Sequence, residues 1–298
     1  MAGVGLRRVV VAGGTGLVGR RLVAVLAAAG VQVTVLGRTP GAAVRGWDEL
    51  PGALDGADAV INLCGAGIAE RRWSPGRRRL LAHSRIGPTE RLVRALEAAG
   101  TRPGVLVNAS AVGIYGARDE HPVEERGATG QDFLAQLCTR WEAAAEAASA
   151  LGVRVVRLRL GLVLARDGGA LPAMARPVRL FLGTRLGQGR QGLSWIHLED
   201  LVRLIIEAAA NPAWLGPVNA TAPMPVSNAA FTRILARRLH RPLLPVPAWI
   251  TRAAVRALLG EMGTALLLEG AYVQPGAAQR LGFSFRFPRL EEALADLL

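Results

Sequence analysis

Short apolar runs alternate along the chain with longer stretches in which apolar residues recur every three or four positions. Val9-Val10-Val11 precedes a cluster of glycines, and an apolar stretch carrying two arginines, Leu17 to Ala29, follows. This reads as strand, tight turn, helix. Val31 to Leu36 predicts a second strand, interrupted by Gln32 and Thr34. Val44 to Trp47 is a candidate third strand, and Asp48 to Leu54 one or two helical turns. Asp58 to Leu63 is the next strand. After a loop from Ala66 to Pro75, Arg77 to Ala99 reads as a helix with Leu80, Leu81, Ile86, Leu92, Val93 and Leu96 on its apolar side. Val105 to Ser110 is a strand, Ala117 to Gly130 a polar loop, Asp132 to Ala150 a helix and Val153 to Leu160 a strand. Short apolar strands alternating with helices imply a parallel sheet covered on both faces.

Beyond Ala165 the pattern weakens. Gly168 and Gly169 open a helix expected to reach Leu182, and Gly183 to Gly192 is a loop. Leu193 to Ile196 returns as a strand, His197 starts a helix to Ala210, and Pro217 to Ala220 is a further short strand. The remainder, Val226 to Leu298, reads as helices separated by prolines and glycines, apart from Phe283 to Phe287.

The glycines carry the first chemistry. Gly14, Gly16 and Gly19 fit a G-x-G-x-x-G spacing, and Gly13, Gly16 and Gly19 its G-x-x-G-x-x-G relative. Such glycines allow a sharp turn, let backbone N–H groups approach a pyrophosphate and let helix pack closely on strand. The helix N-terminus then offers unpaired donors to the anion, which places Gly13, Thr15, Gly16, Leu17, Val18 and Gly19 at a dinucleotide. An NAD site places a carboxylate roughly 20 residues beyond the glycines. Here Gly37 and Arg38 stand at that place, and the first acid after Gly19 is Asp48. A guanidinium favours a 2′-phosphate, so the expected cofactor is NADP(H). The plainer alternative is a solvated loop arginine. Leu63 and Cys64 stand at the end of the Asp58 strand, where its carboxyl end meets the ligand edge of the sheet.

Composition narrows the classes. The 298 residues are half hydrophobic, with 36 basic and 23 acidic residues; every basic one is Arg. The arginines are spread along the chain and no zinc-finger, recognition-motif or helix-turn-helix pattern accompanies them, so no specific nucleic acid is expected. No apolar run reaches the roughly 18 residues of a membrane span, and no membrane partner is expected. Two cysteines and four histidines without ligand spacing imply neither disulfides nor a metal. The first strand begins by about residue 8, leaving no room for a signal or transit peptide. The expected setting is a reducing compartment, the cytoplasm, with the mitochondrial matrix left open. The oligomeric state stays open.

Several marks occur together: Gly13-Gly14-Thr15-Gly16-Leu17-Val18-Gly19, Asn62-Leu63-Cys64-Gly65, Arg72-Trp73, Ser84-Arg85 with Thr89, and Ser110-Ala111-Val112-Gly113-Ile114-Tyr115-Gly116. Trp141-Glu142-Ala143-Ala144, Ser194-Trp195-Ile196-His197 with Asp200, and Asn219-Ala220-Thr221-Ala222-Pro223 with Asn228 complete the set. With these the chain resembles the extended, epimerase-type short-chain dehydrogenase/reductases, above all the atypical "epimerase family protein" branch, over essentially its whole length. The resemblance implies an α/β fold: a Rossmann-like doubly wound parallel sheet with a smaller, mostly helical C-terminal substrate domain. Residues 1–165, completed by about 195–222, would form the dinucleotide-binding domain; 166–194 and 223–298 would form the substrate region. It also implies NADP(H) and a small-molecule substrate.

Ordinary members of that superfamily use a Ser/Thr with Tyr-x-x-x-Lys on one helix. This chain has no lysine. Counting back from Glu142 puts Leu134 at the Tyr position, beside the nicotinamide ribose, and Cys138 at the Lys position, neither an acid or base. Ser110 stands where the Ser/Thr would be. Tyr115 could reach the cleft, or be structural. His197 could act as acid or base, or cap its helix. Arg85 replaces a common Asn and could bind cofactor phosphate or an acidic substrate, or form an ion pair on the helix face. Glu142 reads as a surface or packing residue. The leading reading is an NADP(H)-dependent oxidoreductase or epimerase-like enzyme; the alternative is a non-catalytic NADP(H)-binding sensor or interaction protein.

Overall fold

The computed structural model describes residues 5–41 and 43–298; the first four residues of the expected nucleotide-binding domain lie outside it. Six parallel strands form the central sheet: β1 (Arg8–Ala12), β2 (Gln32–Leu36), β3 (Ala59–Asn62), β4 (Val105–Ala111), β5 (Arg154–Leu160) and, late in the chain, β10 (Gly216–Ala220). Their order is β10-β5-β4-β3-β1-β2. The chain moves outward from β1 to β2, then crosses back to β3 on the other side of β1. That reversal opens a crevice at the carboxyl ends of β1 and β3.

Alternate residues of each strand enter different layers, which is why the strands read as continuous apolar runs. Val9, Val11, Ile61, Val107 and Leu158 meet Leu22 and Leu26 of α1 (Leu17–Ala28) and Leu201 and Ile205 of α6 (Leu198–Ala210). Val10, Ala12, Val60, Leu106 and Val155 meet α2 (Leu50–Leu54), α3 (Pro75–Ala98) and α4 (Phe133–Glu146). Ser74 caps α3 and Asp132 caps α4, each accepting from an amide three residues on. Leu80, expected on the apolar side of α3, is exposed.

The expected third strand at Val44 to Trp47 is absent. Arg45 makes one parallel bridge to Leu36, and the chain then enters a 3-10 turn at Trp47–Glu49. Glu49 reaches back to the Gly46 amide, closing that turn before a ladder can extend.

The expected substrate region, 166–194 and 223–298, is less purely helical than expected, and residues 162–165 and 195–197, expected in the dinucleotide-binding domain, form strands off the central sheet. β6 (Leu162–Ala165) pairs with β7 (Gly168–Gly169) and β9 (Trp195–His197), while β8 (Gly192–Leu193) pairs with β11 (Val226–Ser227). The expected strand Leu193–Ile196 is thus split at Ser194 between two sheets, and Gly168 and Gly169 are strand rather than helix. The helix after them, α5 (Ala170–Arg179), stops at Arg179, short of the expected Leu182. Also in this region are α7 (Asn228–Arg238), α8 (Ala248–Gly263), α9 (Gly276–Arg280) and α10 (Leu290–Leu297). Trp195, Phe231, Leu235 and Leu294 form its core. Among the described residues no helix is long and apolar enough to cross a membrane.

Candidate functional site

The glycine turn divides into packing positions and one position that packs nothing. Gly13 has φ +80°, and a Cβ there would lie 2.8 Å from the Leu63 carbonyl. A Cβ on Gly14 would lie 2.7 Å from Val35, and one on Gly19 2.6 Å from the Gly14 Cα. These three glycines let β1, α1, β2 and β3 close on one another. Gly16 differs. It is exposed, has an ordinary φ of −74°, and a Cβ would meet only the Gly13 carbonyl oxygen at 3.4 Å. Among the described residues no neighbour requires a glycine there.

Directly behind it begins α1. Its first turn has no acid, Gly16 offers no capping side chain, and among the described residues the Leu17, Val18 and Gly19 amides find no acceptor. The positive end of α1 therefore faces the crevice with its donors free, as an anion site requires. The Thr15 carbonyl accepts from Arg20 Nη1 at 2.9 Å, fixing the loop from the side.

At the far end of β2, Arg38 is exposed and has no salt bridge among the described residues. It lies close enough to Cys64 to oppose the effect of burial, which pushes that thiol up to about 12. Gly37 beside it is backed by Val44, 2.6 Å from where a Cβ would stand. The structure thus gathers the glycine turn, Arg38 and the Leu63-Cys64 segment around one crevice.

The end of β4 faces the helix that would carry the catalytic pair. Ser110 is buried and its hydroxyl donates to Glu142 Oε1 at 2.7 Å. Glu142 is no surface residue. Its two carboxylate oxygens accept from Arg159 Nε at 2.8 Å and Nη2 at 2.9 Å, and Arg157 Nη1 stands 3.8 Å away. Burial would loosen the Arg159 proton, but the carboxylate beside it more than compensates and holds the guanidinium charged. Cys138 lies beside Ser110; burial, with Glu142 nearby, pushes its thiol up to about 12. Leu134, half-buried, packs on the turn after β4, 3.3 Å from where a Gly113 Cβ would stand.

Among the described residues Arg85 makes no ion pair on the helix face. It donates to the carbonyls of Leu81 at 3.1 Å and Ala66 at 3.0 Å, and lies over the Trp141 ring at 5.5 Å. Beneath it, the Thr89 hydroxyl accepts from Asn62 Nδ2 at 2.9 Å and Trp141 Nε1 at 3.0 Å, and Asn62 also donates to Asn108 Oδ1 at 2.7 Å. This buried cluster ties β3, α3, β4 and α4 together under the site.

Two candidates leave it. Tyr115 does not reach the cleft: it is fully buried, donates to Asn219 Oδ1 at 2.7 Å and accepts from Arg159 Nη1 at 2.9 Å. Burial raises its pKa, against the pull of Arg159. His197 is the N-cap of α6. Its Nδ1 accepts from the Glu199 amide at 3.1 Å, its ring lies 3.9 Å from Phe287, and Nε2 stands 3.3 Å from Asp296 without hydrogen-bond geometry.

Burial holds the His197 imidazole below its ordinary 6.5, against the pull of Asp296, Asp200 and Glu199. Below that pH the unfolded chain takes up a proton that the folded chain binds less readily. This contribution to stability is complete above 6.5 and is lost as pH falls toward the folded value. The melting temperature should therefore fall between pH 7 and pH 5, and fall less in His197→Asn, which keeps an acceptor for the cap. Coincident profiles would clear the imidazole of this role.

Sequence reasoning missed Glu142, Arg159, Glu125 and Asn219 as members of one network. Buried Glu125 accepts from the Asn219 and Ala277 amides, each at 3.0 Å. The available signal was Arg159 inside an apolar strand, since a buried cation needs a partner. Beyond the turn after β4 opens a cavity of about 360 Å³, lined by Arg118, Glu120, Gln188, Arg190, Arg252 and Glu269 among others.

Comparison with known proteins places this geometry. The model of the NAD dependent epimerase/dehydratase family matches residues 9–219, and that of a domain of unknown function, DUF1731, matches residues 246–297. An epimerase family protein of Mycobacterium bovis is 44% identical, over 96% of this chain and 96% of its own length. A chloroplastic SDR39U1 homologue of Arabidopsis thaliana is 40% identical over 97% and 86%. The crystal structure of human epimerase family protein SDR39U1 with NADPH superposes at a TM-score of 0.89, 34% identical, covering 97% of this chain and 98% of that one. With its strand–glycine–helix crevice matched over most of its length by that model, the chain belongs to the NAD dependent epimerase/dehydratase family, in the branch of epimerase family proteins.

Proposed function

We propose that the protein binds NADP(H) at the Gly13–Gly19 turn and acts as an oxidoreductase or epimerase-like enzyme on a small molecule. The observation that carries the binding is Gly16, a glycine that no protein neighbour needs, set before a helix N-terminus with free amides. Gly13, Thr15, Gly16, Leu17, Val18 and Gly19 would hold the pyrophosphate. Gly37 and Arg38 would hold the 2′-phosphate, Leu63 and Cys64 would flank the crevice, Arg85 would meet a cofactor phosphate or an acidic substrate, and Leu134 would border the nicotinamide ribose. The NADPH in the human relative supports this reading.

The bound cofactor supplies hydride exchange; the protein supplies binding and orientation. The Ser110 hydroxyl commits its one hydrogen-bond donor to Glu142. It therefore presents lone pairs, and can orient a substrate hydroxyl by accepting from it rather than polarise a carbonyl by donating. Arg159 keeps Glu142 engaged, so Ser110 holds that orientation.

A second reading, a non-catalytic NADP(H) sensor or interaction protein, is favoured by one observation: Tyr115 and His197 are both committed to the fold. NADPH consumption or NADP+ reduction over a panel of small hydroxy and carbonyl compounds separates the two. Turnover lowered in Ser110→Ala with unchanged NADPH affinity supports the enzyme. Tight binding with no turnover across the panel supports the sensor.

Arg38 sets cofactor choice. A charge-assisted contact contributes about 1.5–3 kcal/mol, or roughly ten- to a hundredfold in affinity, and its exposure pulls toward the low end. Arg38→Ala should weaken NADPH about tenfold and leave NADH nearly untouched, and Arg38→Asp should favour NADH by repelling the phosphate. Dissociation constants for both cofactors at one salt concentration test this. Equal weakening of the two would reduce Arg38 to a loop charge.

A further inference from the structure

The outer surface of the smaller region combines two features that neither cofactor binding nor turnover uses. The first is charge. Residues 168–198 and 208–260 contain no Asp or Glu but ten arginines: Arg176, Arg179, Arg185, Arg190, Arg233, Arg237, Arg238, Arg241, Arg252 and Arg256. Among the described residues none of the ten enters a salt bridge.

The second is exposed apolar side chain. Helix α8 buries only Thr251 and Val255 before its kink at Gly260. Successive residues of a helix are about 100° apart. Trp249, Ala253, Ala257, Ile250, Ala254 and Leu258 then fill one half-turn of the helix, all exposed, with Trp249 at 72% and Leu258 at 71%. Arg252 and Arg256 lie between that stripe and the buried edge. A second apolar group stands just after α5: Leu180 at 60%, Phe181 at 54% and Leu182 at 60% exposure. Phe181 has φ 60°, a left-handed conformation that costs a bulky residue energy. The Arg241 guanidinium lies over its ring at 4.6 Å.

The two groups sit on segments laced together. The Leu244 amide donates to the Gly183 carbonyl at 2.8 Å, Thr184 Oγ1 to the Leu244 carbonyl at 3.1 Å, and the Gly187 amide to Thr251 Oγ1 at 2.9 Å. The result is a basic surface with projecting Trp, Phe, Ile and Leu side chains. An apolar face flanked by cations, on a helix too short to span, is suited to lie in the headgroup region of an anionic bilayer. An apolar patch alone names no partner; the arginines set against this one, Arg252 and Arg256 beside the α8 stripe and Arg179 and Arg241 beside the Leu180-Phe181-Leu182 turn, name an anionic one.

We propose that this face, centred on the exposed stripe of α8 and the Leu180-Phe181-Leu182 turn, docks the protein on an anionic lipid surface. Interfacial contact needs no membrane-spanning segment, so the expectation of no membrane partner, drawn from the absence of a span, does not reach it. Arg252 also lines the cavity of about 360 Å³ beyond β4.

The test is co-sedimentation of the full chain with vesicles of phosphatidylcholine alone and of phosphatidylcholine with 30–40%, in round numbers about a third, phosphatidylglycerol. Wild type should pellet with the anionic vesicles and at least tenfold less with the neutral ones. W249S/L258S and L180S/F181S should each lose at least tenfold in partition while keeping wild-type NADPH affinity and melting temperature. No binding to anionic vesicles at low salt would overturn the proposal. So would binding that both double variants retain, which would mark simple charge adsorption. A dimer in light scattering that W249S/L258S converts to monomer would assign the face to a second copy instead. Binding of single-stranded RNA, undiminished in the two variants and displacing the vesicles, would assign it to nucleic acid.

Discussion

Gly16→Val abolishes NADPH binding and leaves the protein folded. A Cβ at Gly16 has only the Gly13 carbonyl oxygen within 4 Å, at 3.4 Å, so the variant fits the protein alone. Its branched side chain stands instead in front of the Leu17, Val18 and Gly19 amides. Losing two charge-assisted backbone contacts costs about 3–6 kcal/mol, more than a hundredfold in affinity. Calorimetry and a melting curve check both halves. Unchanged affinity in a folded variant would remove the turn from the cofactor site. Gly19→Val provides the contrast: its Cβ would collide with the Gly13-Gly14 backbone, so it loses the fold before it loses the ligand.

Glu142→Leu lowers the melting temperature by about 6–20 °C. Removing one partner of a buried pair leaves the other uncompensated and costs about 3–5 kcal/mol, at roughly 2–4 °C per kcal/mol for a large domain. The stranded group is Arg159, which keeps only the Tyr115 hydroxyl and the Glu125 carbonyl. Adding Arg159→Met removes the unpaired charge and should recover more than half of the loss. A single variant as stable as wild type, or a double variant worse than the single, would show that the pair does not hold β5 to α4.

The central sheet was legible because both of its faces are buried. Val9 to Ala12, Ala59 to Asn62 and Val105 to Ala109 had no polar face to break the run, and the helices between them showed their own period. Val44 to Trp47 misled because a short apolar run cannot announce that Gly46 and Glu49 will close a turn first. Strands of two to four residues, such as Leu162–Ala165 and Val226–Ser227, are too short to carry a period. The network around Ser110 was illegible for another reason. Glu142, Arg159, Glu125 and Asn219 are charged or polar residues whose partners lie on other elements, and inspection of neighbours cannot pair them. Tyr115 followed from its place after β4, which is correct for its backbone; its ring turns inward because Asn219 and Arg159 offer it both a partner and burial.

The unfinished third strand has a use of its own. A sheet ending at β2 would present an open row of amides and carbonyls to any other extended chain. Here Arg45 donates its amide to the Val35 carbonyl at 2.8 Å, and its own carbonyl accepts from the Gly37 amide at 3.1 Å. The chain then turns away into the Trp47–Glu49 helix turn. Those contacts occupy the carboxyl half of the β2 edge, and polar Gln32 and Thr34 lie in the amino half. The stub works as a stopper against sheet-to-sheet growth, and fibril nucleation should not start from this margin while Arg45 stays paired.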